Sequence, residues 1–153
     1  MNTFQLVLTG DTTPQGRFVS IVSGQPVALP EIRHVGLLVL ICVKLRRSGV
    51  ADLSDFSAAG VAYSKACLHQ LIRRLRCDLD AVLGSGSGNQ FVIHRGRSRY
   101  SLQIAFEDFT VEPGFRELEH DLPHAVFQLL AARITERSSE LLHVSNPLPS
   151  TAN

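Results

Sequence analysis

Two short runs open the chain, "FQLVL" at 4–8 and "RFVSIV" at 17–22. Both are rich in β-branched and aromatic residues, and the turn-forming "TGDTTPQG" lies between them. They predict strands. "QPVALP" follows, and then "EIRHVGLLVLICVKLRRSG" carries apolar residues on almost every side. Pro30 at its start, Glu31 in its first turn, basic residues in its last turn and Gly49 at its end match a helix dipole and a glycine C-cap. These termini favour a helix nearly encircled by core over the strand its valines would permit. "DLSDFSAAG" (52–60) predicts a short second helix capped by Asp52, and Ser64 is placed to cap a third helix ending near Gly84.

In the third helix Leu68, Leu71, Ile72, Leu75, Leu79 and Val82 recur at helical spacing and share one stripe. At about 100° per residue, Ala66, Gln70, Arg73 and Cys77 fall opposite that stripe. His69 and Arg74 flank them, and Arg76 lies nearer the stripe's edge. "GSGSGN" (84–89) reads as a flexible link, and "QFVIHRGRSRYSLQIAF" as a β-hairpin with Gly96 and three arginines about its turn. Beyond it, Val126, Leu129, Leu130, Ile134, Leu141 and Leu142 form a broadly helical pattern, and "SNPLPSTAN" predicts a frayed tail. The expected organisation is a domain over 1–104, an acidic segment with an amphipathic helix over 105–144, and a tail over 145–153.

Charge changes this picture through its distribution. The 153 residues hold 15 basic and 14 acidic side chains, but residues 61–102 have seven basic against two acidic and residues 103–153 have three basic against eight acidic. A basic block beside an acidic block suits a chain that binds a polyanion with one part and does something else with the other. Cys42, Cys67 and Cys77 are odd in number and form no C-x-x-C pair, which fits a reduced, cytoplasmic setting. "MNTFQLVLTGD" lacks the features of a signal peptide, and the apolar run Val35 to Val43 is too short to cross a bilayer, so no membrane partner is expected.

Catalytic and metal chemistry find little support. There is no Gly-x-Ser-x-Gly elbow and no convincing Cys/His/Asx arrangement, so no enzyme and no cofactor are expected. "GSGSGN" lacks the Lys-Ser/Thr of a phosphate-binding loop and follows a helix where it should precede one. His120 and His124, near Glu117, Glu119 and Asp121, are interrupted by Pro123 and read as a solvated acidic loop, with no metal site. Cys67 and Cys77 read as unreactive thiols, the alternative for Cys77 being oxidation sensitivity, because the positive charge of Arg73, Arg74 and Arg76 favours thiolate.

Over roughly residues 4–104 the chain resembles the OmpR/PhoB-type winged-helix DNA-binding domain of bacterial response regulators. "GQPVALPEIRHVGLLVL" is similar to that family's strand followed by a Leu-Thr-x-x-Glu-x-x-x-Leu-Leu helix opening. "LIRRLRCDL" is similar to its recognition helix, where Ile-x-Arg-Leu-Arg-x-Lys-Leu recurs, and "VIHRGRSRYSL" to its wing, Val-x-Gly-x-Gly-Tyr-x-Leu. Asp78 stands where the family has lysine, His69, Gln70 and Leu71 replace Asp-Val-His, and the wing has an additional residue between Gly96 and Tyr100, with Arg99 for its second glycine. The resemblance is to the effector domain alone, so no receiver domain with its phosphoacceptor aspartate is expected ahead of it.

The resemblance implies an α+β winged helix-turn-helix: short N-terminal strands, a three-helix core, a C-terminal β-hairpin wing and here an additional C-terminal helix. It implies duplex DNA as partner and transcriptional regulation as function, with the 64–83 helix in the major groove and the 91–104 wing at the minor groove. Gln70 and Arg73 are then central for base contacts, because glutamine pairs with adenine and arginine with guanine, with His69 and Arg74 beside them. Ser64, Lys65 and Arg76 suit phosphates, and Arg95, Arg97 and Arg99 the minor groove. Against this stands a solvated helix face balanced by Asp78 and Asp80, and a merely solubilising hairpin tip. The alternative class is a winged helix that docks an acidic protein partner through the C-terminal helix or the arginine face; RNA polymerase or another regulator is a further expected partner. That helix is open to three roles: packing on its own domain, forming a homodimer, or bringing the acidic segment over the basic face.

Overall fold

The computed structural model describes residues 4–44 and 49–115. The expected C-terminal helix, the tail, and His120 and His124 lie outside the described residues. The fold is α+β. Its elements are β1 (Phe4–Thr12), β2 (Phe18–Val22), β3 (Gln25–Leu29), α1 (Glu31–Lys44), α2 (Leu53–Ala58), α3 (Lys65–Leu83), α4 (Ser87–Phe91), β4 (Val92–His94), β5 (Tyr100–Leu102) and β6 (Ile104–Val111). One sheet has the order β3-β2-β1-β6, antiparallel except for the parallel pair β1 and β6, and β4 and β5 form a separate antiparallel pair.

The strands follow the alternation of their residues. Phe4, Leu6 and Leu8 of β1, Phe18 and Val22 of β2, and Val27 and Leu29 of β3 turn into the core. α1 is buried continuously from His34 to Val43, as its all-round apolar character requires. His34 lies in this interior, its ring stacked on Phe18 with centroids 4.5 Å apart, and burial lowers its pKa to about 4. In α3, Leu68, Leu71, Ile72, Leu75 and Leu79 are buried. Val82 departs from the expected stripe and is 40% exposed, while the partly buried Leu83 next to it is the residue that packs against the core.

Three expectations change. "GSGSGN" is no flexible link, because α4 begins at Ser87 and packs on α3: the Gly88 N–H donates to Asp80 Oδ1 at 2.7 Å. A Cβ on Gly88 would come within 2.4 Å of the Arg76 carbonyl oxygen, so the close approach requires glycine. The hairpin is also shorter than expected. Phe91 belongs to α4, and after β5 the exposed Gln103 marks the point where the chain leaves the hairpin, its N–H donating to the Phe91 carbonyl at 2.8 Å. "IAFEDFTV" then joins the main sheet beside β1, with Leu6 opposite Phe109 and Leu8 opposite Val111. The main sheet and the buried core therefore continue past 104, at least to Phe115, and the start of the acidic segment is a sheet strand.

Gly10 secures that ending. It holds φ +82°, and a Cβ there would lie 2.5 Å from the Gly114 carbonyl oxygen, so β1 and the segment after β6 approach closely only with glycine.

Candidate nucleic-acid interface

Both helix starts at the site are capped as expected. Asp52 and Asp55 form a reciprocal capping box on α2, and the Ser64 hydroxyl accepts from the Cys67 N–H at 3.1 Å at the start of α3. The Asp52 carboxyl is held below the ordinary carboxylate range, chiefly by the hydroxyl donated from Ser54 at 2.6 Å. Just before α2, Ala51 pairs with Tyr100 through both backbone bonds, 2.7 and 2.9 Å, so the chain entering α2 lies alongside the hairpin. This one bridge brings α2, the start of α3 and the hairpin turn to the same side of the molecule.

On α3 the polar residues divide by direction. Ala66, Gln70, Arg73 and Cys77 are exposed, as are Lys65, His69 and Arg74 beside them. Arg73 and Lys65 have no hydrogen-bond or ion-pair partner among the described residues. The Gln70 amide, with its oxygen toward Arg74, accepts from Arg74 Nε and Nη2, each at 3.1 Å, which aligns these two side chains on the outward face.

The inner edge of the helix is different. Arg76 is half-buried, and its Nε and Nη2 donate to the Val92 carbonyl at 3.1 and 2.6 Å while its guanidinium lies 5.8 Å from the Tyr100 ring centre. Its fork, expected to meet phosphate, is engaged inside the protein. Burial raises the Tyr100 phenol pKa, and the Arg76 charge opposes that rise. The two acids that could have balanced the arginine face also point elsewhere. Asp78 is ion-paired with Arg33 of α1, and Asp80 accepts from Gly88. Asp78 thus serves an ion pair between α1 and α3.

His69 is drawn toward the hairpin. Its Nε2 hydrogen-bonds the Ser98 hydroxyl at 3.0 Å, and its ring meets Tyr100 edge-on at 6.2 Å. In the turn, Arg95 Nε donates to the Ser101 hydroxyl at 2.9 Å, and Arg99 folds back on the carbonyls of Gly96 and Arg95. Arg97, exposed, has no such partner among the described residues. Arg97 and Ser98 take left-handed backbone angles, φ +53° and +59°, in a non-glycine pair that the sequence did not signal.

Sequence reasoning missed Ser98 and Tyr100 as the hairpin's anchors, Asp52 as the companion of Lys65 and Arg97 around one cleft, and Ile32, 59% exposed at the start of α1. The Arg-Ser-Arg-Tyr order was the available signal for the first two. Among the described residues no group of three or more His, Cys, Asp or Glu side chains could hold a metal, and no helix is long and apolar enough to cross a membrane. Comparisons with protein families, with curated proteins and with solved structures return no match for this chain.

Proposed function

We propose that this chain binds duplex DNA as a winged helix-turn-helix, with α3 in the major groove and the β4–β5 hairpin beside it as the wing, and that it acts in transcriptional regulation in the cytoplasm. The observation that carries the reading is the outward set Gln70, Arg73 and Arg74, left facing solvent while Asp78 and Asp80 are tied to α1 and α4. Guanidinium and amide groups at that spacing suit base edges and phosphates, and no acid among the described residues pairs with Arg73 or Arg74. The acidic residues Glu107 and Asp108 stand in β6, on the strand that pairs with β1.

Binding of the purified protein to mixed genomic fragments at rising salt tests this. Electrostatic contact with DNA weakens with a log-log slope of about −0.9 per neutralised phosphate. Arg73→Ala with Arg74→Ala is expected to cut affinity by at least about a hundredfold, since contacts through charged groups are each worth about 1.5–3 kcal/mol. No binding at low salt, or an unchanged affinity in the folded double variant, sinks the proposal.

A second reading is a module that docks an acidic protein partner. It rests on a groove of about 470 Å³ between the start of α1 and α3, where Ile32, Val61, Cys67 and Leu71 adjoin Gln70 and Arg74. Binding of an acidic peptide by a protein that ignores duplex DNA at low salt would favour it.

A further inference from the structure

A second cleft, about 760 Å³, lies where α2, the start of α3 and the hairpin turn meet, and Lys65 and Arg97 stand on it with Asp52, Ser54 and Ser98. Lys65 is the first residue of α3 and Arg97 the tip of the turn, so two elements remote in sequence each bring one cation to one cleft. Neither cation has a hydrogen-bond or ion-pair partner among the described residues, whereas the neighbouring Arg76, Arg95 and Arg99 all do. Two like charges held at one concave surface raise the local potential for an anion.

The backbone is arranged to keep Arg97 there. Consecutive left-handed φ angles at Arg97 and Ser98 are unfavourable for side chains larger than glycine, and they persist only where surrounding contacts hold them. Three contacts do so: the Arg95 N–H to the Arg99 carbonyl at 2.8 Å, the Arg99 N–H to the Gly96 carbonyl at 3.1 Å, and the Ser98 hydroxyl to His69 of α3 at 3.0 Å. His69 is thus a positioning residue that ties the turn to the helix.

We infer that Lys65 and Arg97 clasp one backbone phosphate of the duplex between the start of α3 and the hairpin turn. The inference rests on the DNA-binding reading above and changes one role within it, since Arg97 then works on the backbone and not in the minor groove. Asp52 sets the class of anion. Its carboxylate is engaged with the Ser54 hydroxyl and the Asp55 N–H, at 2.6 and 3.3 Å, but its charge remains beside the two cations. Two positive charges and one negative charge suit the single charge of a phosphodiester better than a doubly charged terminal phosphate.

The test takes a duplex bound by the full chain and replaces each backbone phosphate in turn with an uncharged methylphosphonate. Wild type, Lys65→Gln and Arg97→Gln are compared, with thermal unfolding as a check that these exposed substitutions leave the fold intact. Each variant is expected to bind roughly tenfold more weakly whatever the DNA sequence. Both are expected to lose sensitivity at the same phosphate, where wild type is sensitive. Unchanged affinity in the variants, or loss of sensitivity at two different phosphates, overturns the clasp and leaves the DNA reading standing. Failure of wild type to bind any duplex at low salt overturns both.

Discussion

Arg74 and Arg76 are two residues apart on one helix and have opposite fates. Arg74 lies on the outer face beside Gln70 and Arg73, whereas Arg76 is turned against Val92 and Tyr100. The division continues along α3: the half from Lys65 to Arg74 presents its cations to solvent, and the half from Arg76 to Asp80 uses its charges to hold α1, α4 and β4. A rotation of about 200° over two residues is sufficient cause. A run of arginines is therefore not one functional unit. Its members divide between an exposed face and the architecture according to helical phase and the groups that wait on each side.

The largest expected effect falls on Leu75, which separates the two arginines and is fully buried. Leu75→Ala should cost about 2–5 kcal/mol in denaturant unfolding, since a cavity opens where α3 meets the core. A cost below about 1 kcal/mol would mean that α3 is not seated on the core as described.

The histidines sharpen the same contrast, with His69 exposed on α3 and His34 buried on α1. Burial lowers the folded-state pKa of His34 from 6.5 to about 4, so the unfolded chain takes up the proton first. Its contribution is therefore fully present above about pH 6.5, declines as pH falls, and levels off below about pH 4, a total of about 3 kcal/mol. Denaturant midpoints between pH 7 and 4 should decline less in His34→Phe than in wild type. Equal declines would remove His34 from the account.

Arg76→Ala is the next in size. It leaves the Val92 carbonyl without its donor and should lower stability by about 1–3 kcal/mol. The Arg73→Ala and Arg74→Ala pair, by contrast, should alter stability by less than about 0.5 kcal/mol. A stability loss in the outer pair, or none at Arg76, would break the division. Asp78→Asn should fall between Arg76→Ala and the outer pair, at up to about 1 kcal/mol, because its pair with Arg33 is partly solvated: the side chains are 18% and 21% exposed. Urea unfolding measures these differences directly.

Much of the local structure was legible. The Asp52 and Ser64 caps, the helix α3 from Lys65 to Leu83 and the burial of Leu68, Leu71, Ile72, Leu75 and Leu79 all follow from short-range periodicity and capping chemistry. The outward placement of Gln70 and Arg73 follows from the same projection. The misread segments share one feature, which is a partner on another element of the fold. "GSGSGN" looked flexible because glycine and serine permit many conformations, and Gly88 is needed only because α4 is pressed against Arg76. "QIAF" continued a hairpin on local pattern, but the edge of β1 offered Ile104–Val111 a parallel partner about a hundred residues away.

The candidate site divides along the same line. The sequence by itself determined which residues share a helix face and where α2 and α3 begin, because those depend on a 3.6-residue period and on side chains within three positions of a helix end. Tertiary structure alone decided that Arg76 serves Val92, that Asp78 serves Arg33, that His69 holds Ser98, and that Lys65 and Arg97 line one cleft. The reason is physical: helical phase repeats locally, whereas the partner of a charge depends on which surfaces the core brings together.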